Sequence, residues 1–317
     1  MGTSSAHPAE AVAVASRTEA ERVVGATRSM SMGFRARRDT SSDGGLAVYE
    51  LKHGWARLEL GELWSYRELL FFLTWRDVLV RYKQAVLGVA WAILQPVLTM
   101  VVFTVVFNQI LGVQSPDSDV PYAIFSFSGL LPWQFFAAAL TRSGSSLVGN
   151  SNLLTKVYFP RLVIPLSAVL AGLVDLGISF LVLIALMAGY GIAPSWQMLF
   201  LPVFVLLAIV TALAVSLWLS ALNVLYRDVG YLIPFLVQLW VFVSPVIYPI
   251  DKIPAGPLRV AFALNPMTGV IGGFRWSILG QQFPGGYVWV SLVVVAVLFV
   301  GGLYYFKRME RVFADVV

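Results

Sequence analysis

The amino-acid sequence contains no cysteine and only two histidines, His7 and His53. Disulfide bonds, thiolate catalysis and cysteine-ligated metals are therefore excluded. Both histidines precede the long apolar runs, and no glutamate occurs between Glu68 and Glu310. The apolar part of the chain thus has very few groups for acid–base chemistry, and we expect no metal site in it.

Charged residues are scarce as well. They make up 12% of the 317 residues, while hydrophobic residues make up 58%, whereas soluble domains average about 25% and 45–50%. This composition indicates an integral membrane protein. The net charge of +5 comes from basic residues scattered at the ends of apolar runs. Because these residues do not gather on one polar face, nucleic acid is not expected as a partner.

A nucleotide-binding loop is also missing. The Walker A motif places a lysine directly after a glycine, but none of the five lysines follows a glycine. The chain is therefore expected to be neither an ATPase nor another enzyme, and to carry no cofactor of its own. Any ATP and Mg would belong to a separate partner subunit.

Six apolar segments predict the fold class, an all-α integral membrane protein with six transmembrane helices. Their approximate bounds are 85–111, 122–148, 162–190, 198–222, 230–248 and 287–306. The loops around Asp117 and Pro194 carry no Lys or Arg, whereas the connections on the other side do. The positive-inside rule then predicts that both termini are cytosolic. Residues 1–61 have the composition of a mostly disordered cytoplasmic tail, which leaves 62–317 as the transmembrane domain.

The stretch 63–84, just before the first apolar segment, is predicted to form an amphipathic interface helix. Its apolar residues recur at helical spacing on one face: Phe71, Trp75, Val78, Leu79 and Tyr82. Its basic residues lie elsewhere around the helix: Arg76, Arg81 and Lys83. A helix of this kind lies in the headgroup layer of a membrane.

The stretch 249–286 is apolar but interrupted by several prolines and glycines. It is too punctuated for one spanning helix and too apolar for a solvated loop. We therefore predict two short re-entrant helices on the outer side, before the last span. The alternative is a surface loop with a short amphipathic helix.

A short helix is predicted in the inner connection near residue 152. Asn152 is a candidate N-cap, and Pro160 would end the helix. Its other residues form a small apolar face with one cation: Leu153, Leu154, Lys156, Val157 and Tyr158. The helix is either a simple connection or the docking surface for a soluble partner.

Two further features have both a structural and a functional interpretation. Asp175 lies in mid-span, where a carboxyl either packs against a neighbouring serine or asparagine or lines a transport pathway. Several aromatic residues either form interfacial belts or line a channel for sugar rings: Trp91, Phe103, Phe107, Trp240 and Tyr248.

Four separated parts of the chain carry a family resemblance: 75–96, 152–161, 222–230 with 244–249, and 265–275. In this order they resemble the membrane subunit of the ABC-2 type polysaccharide exporters, which move O-antigen, teichoic acid or related lipid-linked glycans. The resemblance covers about residues 62–317. It implies a homodimer of six-span subunits with two copies of a separate ATPase, in a bacterial cytoplasmic membrane.

The resemblance also assigns roles to individual segments. Residues 152–159 resemble the coupling helix that docks on the ATPase, and 254–283 resemble paired external gate helices that include Asn265, Pro266 and Arg275. Many members carry an acidic residue where this chain has Gly272 and Gly273. A gate salt bridge from Arg275 would then need a distant partner: Asp251, Asp117 or Asp119.

The expected function is that of a permease subunit exporting a polyprenyl-diphosphate-linked polysaccharide. Arg76, Arg81 and Lys83 would bind the diphosphate, or they would only anchor the helix to anionic lipid. The alternatives are an ABC-2 exporter of a drug or smaller lipid and a membrane-embedded lipid-carrier transferase. The second is disfavoured because so few catalytic groups lie near the membrane.

Overall fold

The computed structural model describes residues 60–83, 89–116, 120–157, 159–254 and 256–316. Every regular element in these ranges is a helix, which confirms the all-helical fold class. The predicted tail, 1–61, lies outside the described residues except for its last two.

The α-helices are numbered in chain order: α1 (Leu60–Ser65), α2 (Arg67–Lys83), α3 (Val89–Phe103), α4 (Tyr122–Gly149), α5 (Ser151–Lys156), α6 (Val163–Leu170), α7 (Gly172–Gly189), α8 (Leu201–Leu225), α9 (Val229–Val243), α10 (Pro257–Leu264), α11 (Pro266–Leu279) and α12 (Gly285–Val316). A π-helical stretch, Thr104–Ile110, continues α3, and a 3-10 turn, Trp196–Phe200, precedes α8.

Within the described ranges, five helical stretches are long and apolar enough to cross a membrane: Ala90–Ile110, Tyr122–Gly149, Val163–Gly189, Trp196–Leu225 and Gly285–Glu310. The fifth predicted span, 230–248, corresponds to α9, which has only 15 residues. It is about 22 Å long, shorter than the hydrocarbon core. The helix ends early because Pro245 restricts Ser244 to an extended conformation. The predicted count of six spans is therefore not confirmed.

The central element is α4, which packs against α3, α6, α7, α8, α9 and α11. Small residues allow these close contacts, because a β-carbon at Gly144 would overlap the Ile233 side chain of α9. Asn223 of α8 donates a hydrogen bond to the Gly144 carbonyl at 3.0 Å. One proline, Pro132, lies inside α4.

By contrast, α3 and α9 are largely exposed. Only 11% of the most apolar stretch of the first span is buried, and Ile233 is the sole buried residue of α9. Both helices are apolar, and their exposed side chains include Trp91, Leu98 and Tyr231. These surfaces are suited to lipid or to another apolar protein surface.

The predicted pair of short helices corresponds to α10 and α11. Asn265 separates them, and its side-chain oxygen caps α11 by accepting a hydrogen bond from the Met267 amide at 3.0 Å. Nearly all of α11 is buried, packed against α4, α8 and α12. This burial is incompatible with the surface-loop alternative.

The segment between α9 and α10 begins with a buried stretch of irregular backbone, residues 244–247. Its carbonyl groups are hydrogen-bonded by side chains from other elements. Arg275 donates to the Pro245 and Val246 carbonyls at 2.8 and 2.6 Å. Tyr122 donates to the Ile247 carbonyl at 2.8 Å. These bonds matter because an unpaired carbonyl in apolar surroundings costs free energy.

At the opposite end of α4, a second apolar cluster joins α2, α5 and α12. It includes Leu73, Leu147, Leu154, Phe306 and Phe313. The cluster holds the short helix α5 against the rest of the chain, and it is separate from the larger cluster around α4 and α11.

Two details of the predicted inner helix are wrong. Helix α5 begins at Ser151, so Asn152 lies inside its first turn and is not the N-cap. The helix also ends at Lys156, before Pro160. Asn150 occupies the cap position, but its side chain binds the Ser146 carbonyl and Arg76 instead of capping α5.

We predict that Arg275→Met lowers the melting temperature of the purified protein more than Tyr122→Phe does. The methionine leaves the Pro245 and Val246 carbonyls unpaired, at about 1–3 kcal/mol each. The phenylalanine leaves only the Ile247 carbonyl unpaired. Thermal unfolding in a single detergent measures both variants, and equal melting temperatures would contradict the prediction.

Candidate functional site

A cluster of ionisable side chains surrounds Asp175. Arg81 and Tyr82, from the last turns of α2, both donate hydrogen bonds to its carboxylate. Arg142 of α4 donates through Nη1 at 3.0 Å. Asp175 itself lies in the first turn of α7. One carboxylate therefore connects three helices.

This environment corrects the sequence prediction for Asp175. The expected structural role was a buried carboxyl bonded to serine or asparagine. The side chain is instead 28% exposed, and its partners are two guanidinium groups and a phenol. The cluster carries two positive charges and one negative charge, so its net charge is +1.

The local sequence allows the close approach of α4 and α7. A β-carbon at Gly172 would lie 2.9 Å from the Arg142 Nη2 atom and 3.2 Å from the Phe135 ring. A larger residue would therefore force Arg142 away from Asp175. Arg142 is further fixed because its Nε atom donates to the Ala138 carbonyl at 3.0 Å.

Burial affects two groups in the cluster, the Tyr82 phenol and the Arg142 guanidinium. Burial, with the hydrogen bond to Asp175, raises the pKa of Tyr82 to about 12. The phenol therefore stays protonated and acts as a donor at neutral pH. The Arg142 Nη2 atom is buried and has no hydrogen-bond partner among the described residues.

A cavity of about 470 Å³ adjoins this cluster, between α2, α3, α4 and α7. Arg81, Tyr82, Arg142 and Asp175 all line it. The remaining lining includes amides, a hydroxyl and aromatic rings: Gln95, Gln134, Ser179, Trp91 and Phe135. Its size and mixed lining are typical of a small-molecule site.

The three basic residues predicted to bind a headgroup are not equivalent. Only Arg81 lines the cavity. Arg76 is paired with Asp77 at 2.8 Å and donates to Asn150 at 3.1 Å. Lys83 is exposed at the end of α2. Headgroup binding by Arg76 and Lys83 stays a prediction.

The five aromatic residues predicted to line a channel lie in different environments. Trp91 lines the cavity. Phe103 and Phe107 pack edge to face, with centroids 5.5 Å apart. Trp240 contacts Phe136 and donates to the Asn265 side chain at 3.2 Å. The Tyr248 hydroxyl donates to the Phe242 carbonyl at 2.7 Å.

The predicted docking residues of α5 face different directions. Leu154 is only 7% exposed, because it packs within the second apolar cluster. The expectation that it presents an apolar face to a partner is therefore wrong. Leu153 is partly buried in the same cluster, while Asn152, Lys156 and Val157 are exposed. Tyr158 lies outside the described residues.

The predicted external gate residues form a hydrogen-bonded junction at the other end of α4. The Asn265 amide donates to the Val243 carbonyl at 3.1 Å and to the Ser244 hydroxyl at 2.9 Å. Pro266 begins α11. Arg275 stacks 3.8 Å from the Phe125 ring centroid, in addition to its two carbonyl contacts.

The salt-bridge partners considered for Arg275 cannot be placed. Asp117 and Asp119 lie outside the described residues, and the side chain of Asp251 is not described. A second cavity, of about 560 Å³, lies beside Arg275 and is also lined by Gln281, Phe283 and Tyr287.

Sequence reasoning missed Arg142 and Tyr82 as members of the candidate site. A signal was nevertheless present, because Arg142 and Asp175 are the only Asp, Glu, Lys or Arg residues within the predicted spans 122–148 and 162–190. Opposite charges inside neighbouring spans tend to pair with each other.

Comparison with known proteins identifies relatives along most of this chain. An O-antigen export system permease protein, RfbA, of Myxococcus xanthus is 33% identical over 238 residues, covering 75% of this chain and 90% of that protein. A protein of the same name from Klebsiella pneumoniae is 30% identical, covering 78% and 95%. The polysialic acid transport protein KpsM of Escherichia coli is 24% identical, covering 74% and 91%.

The family model for the ABC-2 type transporter matches residues 68–279, which make up more than half of the chain. The matched range contains α2, the Asp175 cluster and the Asn265 junction. The resemblance derived from the sequence is therefore confirmed, and the chain belongs to the ABC-2 type transporter family.

Proposed function

We propose that this chain is the permease subunit of an ATP-driven exporter of a polyprenyl-diphosphate-linked polysaccharide. It would act across the bacterial cytoplasmic membrane, with both termini in the cytosol. Family membership supports a transport role. The names of the relatives support a polysaccharide cargo, because they refer to O-antigen export and polysialic acid transport.

The observation that carries the proposal is the cavity beside Asp175. Arg81 and Arg142 line it, and guanidinium groups form strong charge-assisted hydrogen bonds with phosphate oxygens. Trp91 and Pro96 add apolar surface from α3. Because α3 is largely exposed, a bound headgroup can keep its lipid tail beside the helix, in the membrane. Arg76 and Lys83 would attract the headgroup from the inner surface.

A separate ATPase is proposed to supply the energy, because the chain has no Walker A lysine. Its docking site would be the exposed side of α5. Asn152, Lys156 and Val157 are accessible there, and Leu154 connects the helix to the permease core. Force applied to α5 would thus reach α2 and α12 through the second apolar cluster.

The transport pathway is proposed to lie between two copies of the chain. The exposed apolar surfaces of α3 and α9 would contact a second copy or membrane lipid. At the outer side, α10 and α11 would form the gate around Asn265 and Arg275.

An exporter of a drug or smaller lipid is the rival function. Accumulation of lipid-linked glycan inside cells that lack this subunit would separate the two.

Replacing Arg142 by glutamine is expected to lower glycan export at least about tenfold. The variant loses a charge-assisted hydrogen bond of about 1.5–3 kcal/mol, and each 1.4 kcal/mol corresponds to a factor of ten. Surface glycan and intracellular lipid-linked glycan are measured in the same cells.

The matched control for Arg142 is Arg227→Gln, because Arg227 is an exposed arginine in the connection between α8 and α9. We expect this variant to export normally. The variant Lys83→Gln tests whether the headgroup site extends beyond the cavity. Normal export by a folded Arg142→Gln protein would remove the headgroup proposal.

Coupling to the ATPase is tested by the double variant Lys156→Glu and Val157→Asp. It changes exposed residues of α5, so we expect loss of the ATPase on co-purification without a lower melting temperature. Leu154→Ala should retain the ATPase but lower the melting temperature, because it opens a cavity in the second apolar cluster at a cost of about 2–5 kcal/mol. Full retention of the ATPase by the double variant would contradict docking on this side of α5.

A further inference from the structure

Asp175 occupies the position of an anion in the cavity proposed to receive the headgroup. Its Oδ2 atom accepts hydrogen bonds from Arg81 and Arg142, the two guanidinium groups that line the cavity. Its Oδ1 atom accepts from Tyr82. A phosphate group entering the cavity would seek the same donors. The carboxylate and the ligand are therefore competitors for one set of cations.

The cluster is open on the cavity side. The side chains of Arg81, Arg142 and Asp175 keep 26–28% of their surface exposed. Full burial would impose a desolvation cost on the ion pair and would also keep a ligand away from it. Here the three charged side chains instead form part of a cavity wall, within reach of a bound group.

The net positive charge of the cluster favours replacement of the Asp175 carboxylate by a more highly charged anion. One carboxylate compensates only one of the two guanidinium groups. A diphosphate brings more negative charge and more acceptor oxygens than a carboxylate. It can therefore satisfy both cations more fully, whereas a monophosphate, with a charge of about −1.5 to −2 at pH 7, gains less by displacing Asp175.

We propose that Asp175 is an internal competitor that makes the cavity selective for a diphosphate headgroup. The incoming diphosphate takes Arg81 and Arg142 from Asp175, and Asp175 rebinds both arginines when the ligand leaves. This inference rests on the proposed function, which places the headgroup in this cavity. It makes Asp175 a specificity-determining and positioning residue.

The exchange also has a structural effect on the interface helix. Arg81 and Tyr82 are both on α2, and both bind the same carboxylate of α7. Displacement of that carboxylate loosens two contacts between α2 and α7 at once. Binding of the headgroup would thereby release the end of α2 from the third span.

The test measures binding of farnesyl diphosphate and farnesyl monophosphate to the full chain in nanodiscs. We expect Asp175→Asn to bind the diphosphate about tenfold more tightly than the unchanged protein. It should gain still more affinity for the monophosphate, so that its preference for diphosphate falls. Export in cells should decrease nevertheless, because release of the headgroup becomes slow.

A second variant tests the same idea with the native cluster intact. Gln134→Glu adds a carboxylate to the cavity wall with little change in shape, and it should weaken diphosphate binding about tenfold. Gln109→Glu is the matched control, since Gln109 is an exposed residue of the π-helical stretch, outside the cavity. Melting temperature and elution volume confirm that each variant is folded.

The outcomes separate this inference from the proposed function. If Arg142→Gln loses binding but Asp175→Asn and Gln134→Glu both bind like the unchanged protein, the exchange is overturned and the headgroup site stands. The exchange is equally overturned if Asp175→Asn is folded but binds more weakly. Normal diphosphate binding by Arg81→Gln and Arg142→Gln overturns both proposals.

Discussion

Backbone hydrogen bonding in apolar surroundings is the constraint on which the fold around residues 244–247 depends. Helix α9 ends at Val243, just before Pro245, and the buried chain beyond it cannot pair its carbonyl groups within a helix. Arg275, Tyr122 and Asn265 donate the missing hydrogen bonds. These donors come from α11, from the start of α4 and from the junction before α11. The packing of these helices around residues 244–247 therefore also satisfies the backbone.

At the Asp175 cluster, the groups that must be paired are charged side chains. Arg142 lies within a span, where a lone guanidinium would be costly, and Asp175 supplies the opposite charge from the neighbouring span. The compensation is incomplete, because Arg81 brings a second positive charge to the same carboxylate. Arg275 thus donates to backbone carbonyls, whereas Arg81 and Arg142 share a carboxylate.

Composition and periodicity predicted much of the fold from the sequence. The all-helical class and the two short helices before α12 follow from composition, proline positions and length. The pairing of Arg142 with Asp175 did not follow, because the two residues are 33 positions apart and depend on how α4 and α7 pack. Leu154 illustrates the same limit. Spacing showed that it lies on an apolar face, but not that the chain's own α2 and α12 cover that face.

Helix α4 connects the Arg275 junction with the Asp175 cluster, and the proline inside it affects how the helix can bend. Phe125, beside the cavity near Arg275, and Arg142, beside the cavity near Asp175, are about 26 Å apart along the helix axis at about 1.5 Å per residue. Pro132 lies between them and removes one hydrogen bond from the helical ladder. The helix therefore bends more easily there than a continuous helix would. The part of α4 that carries Arg142 can therefore change its angle relative to the part that contacts Arg275.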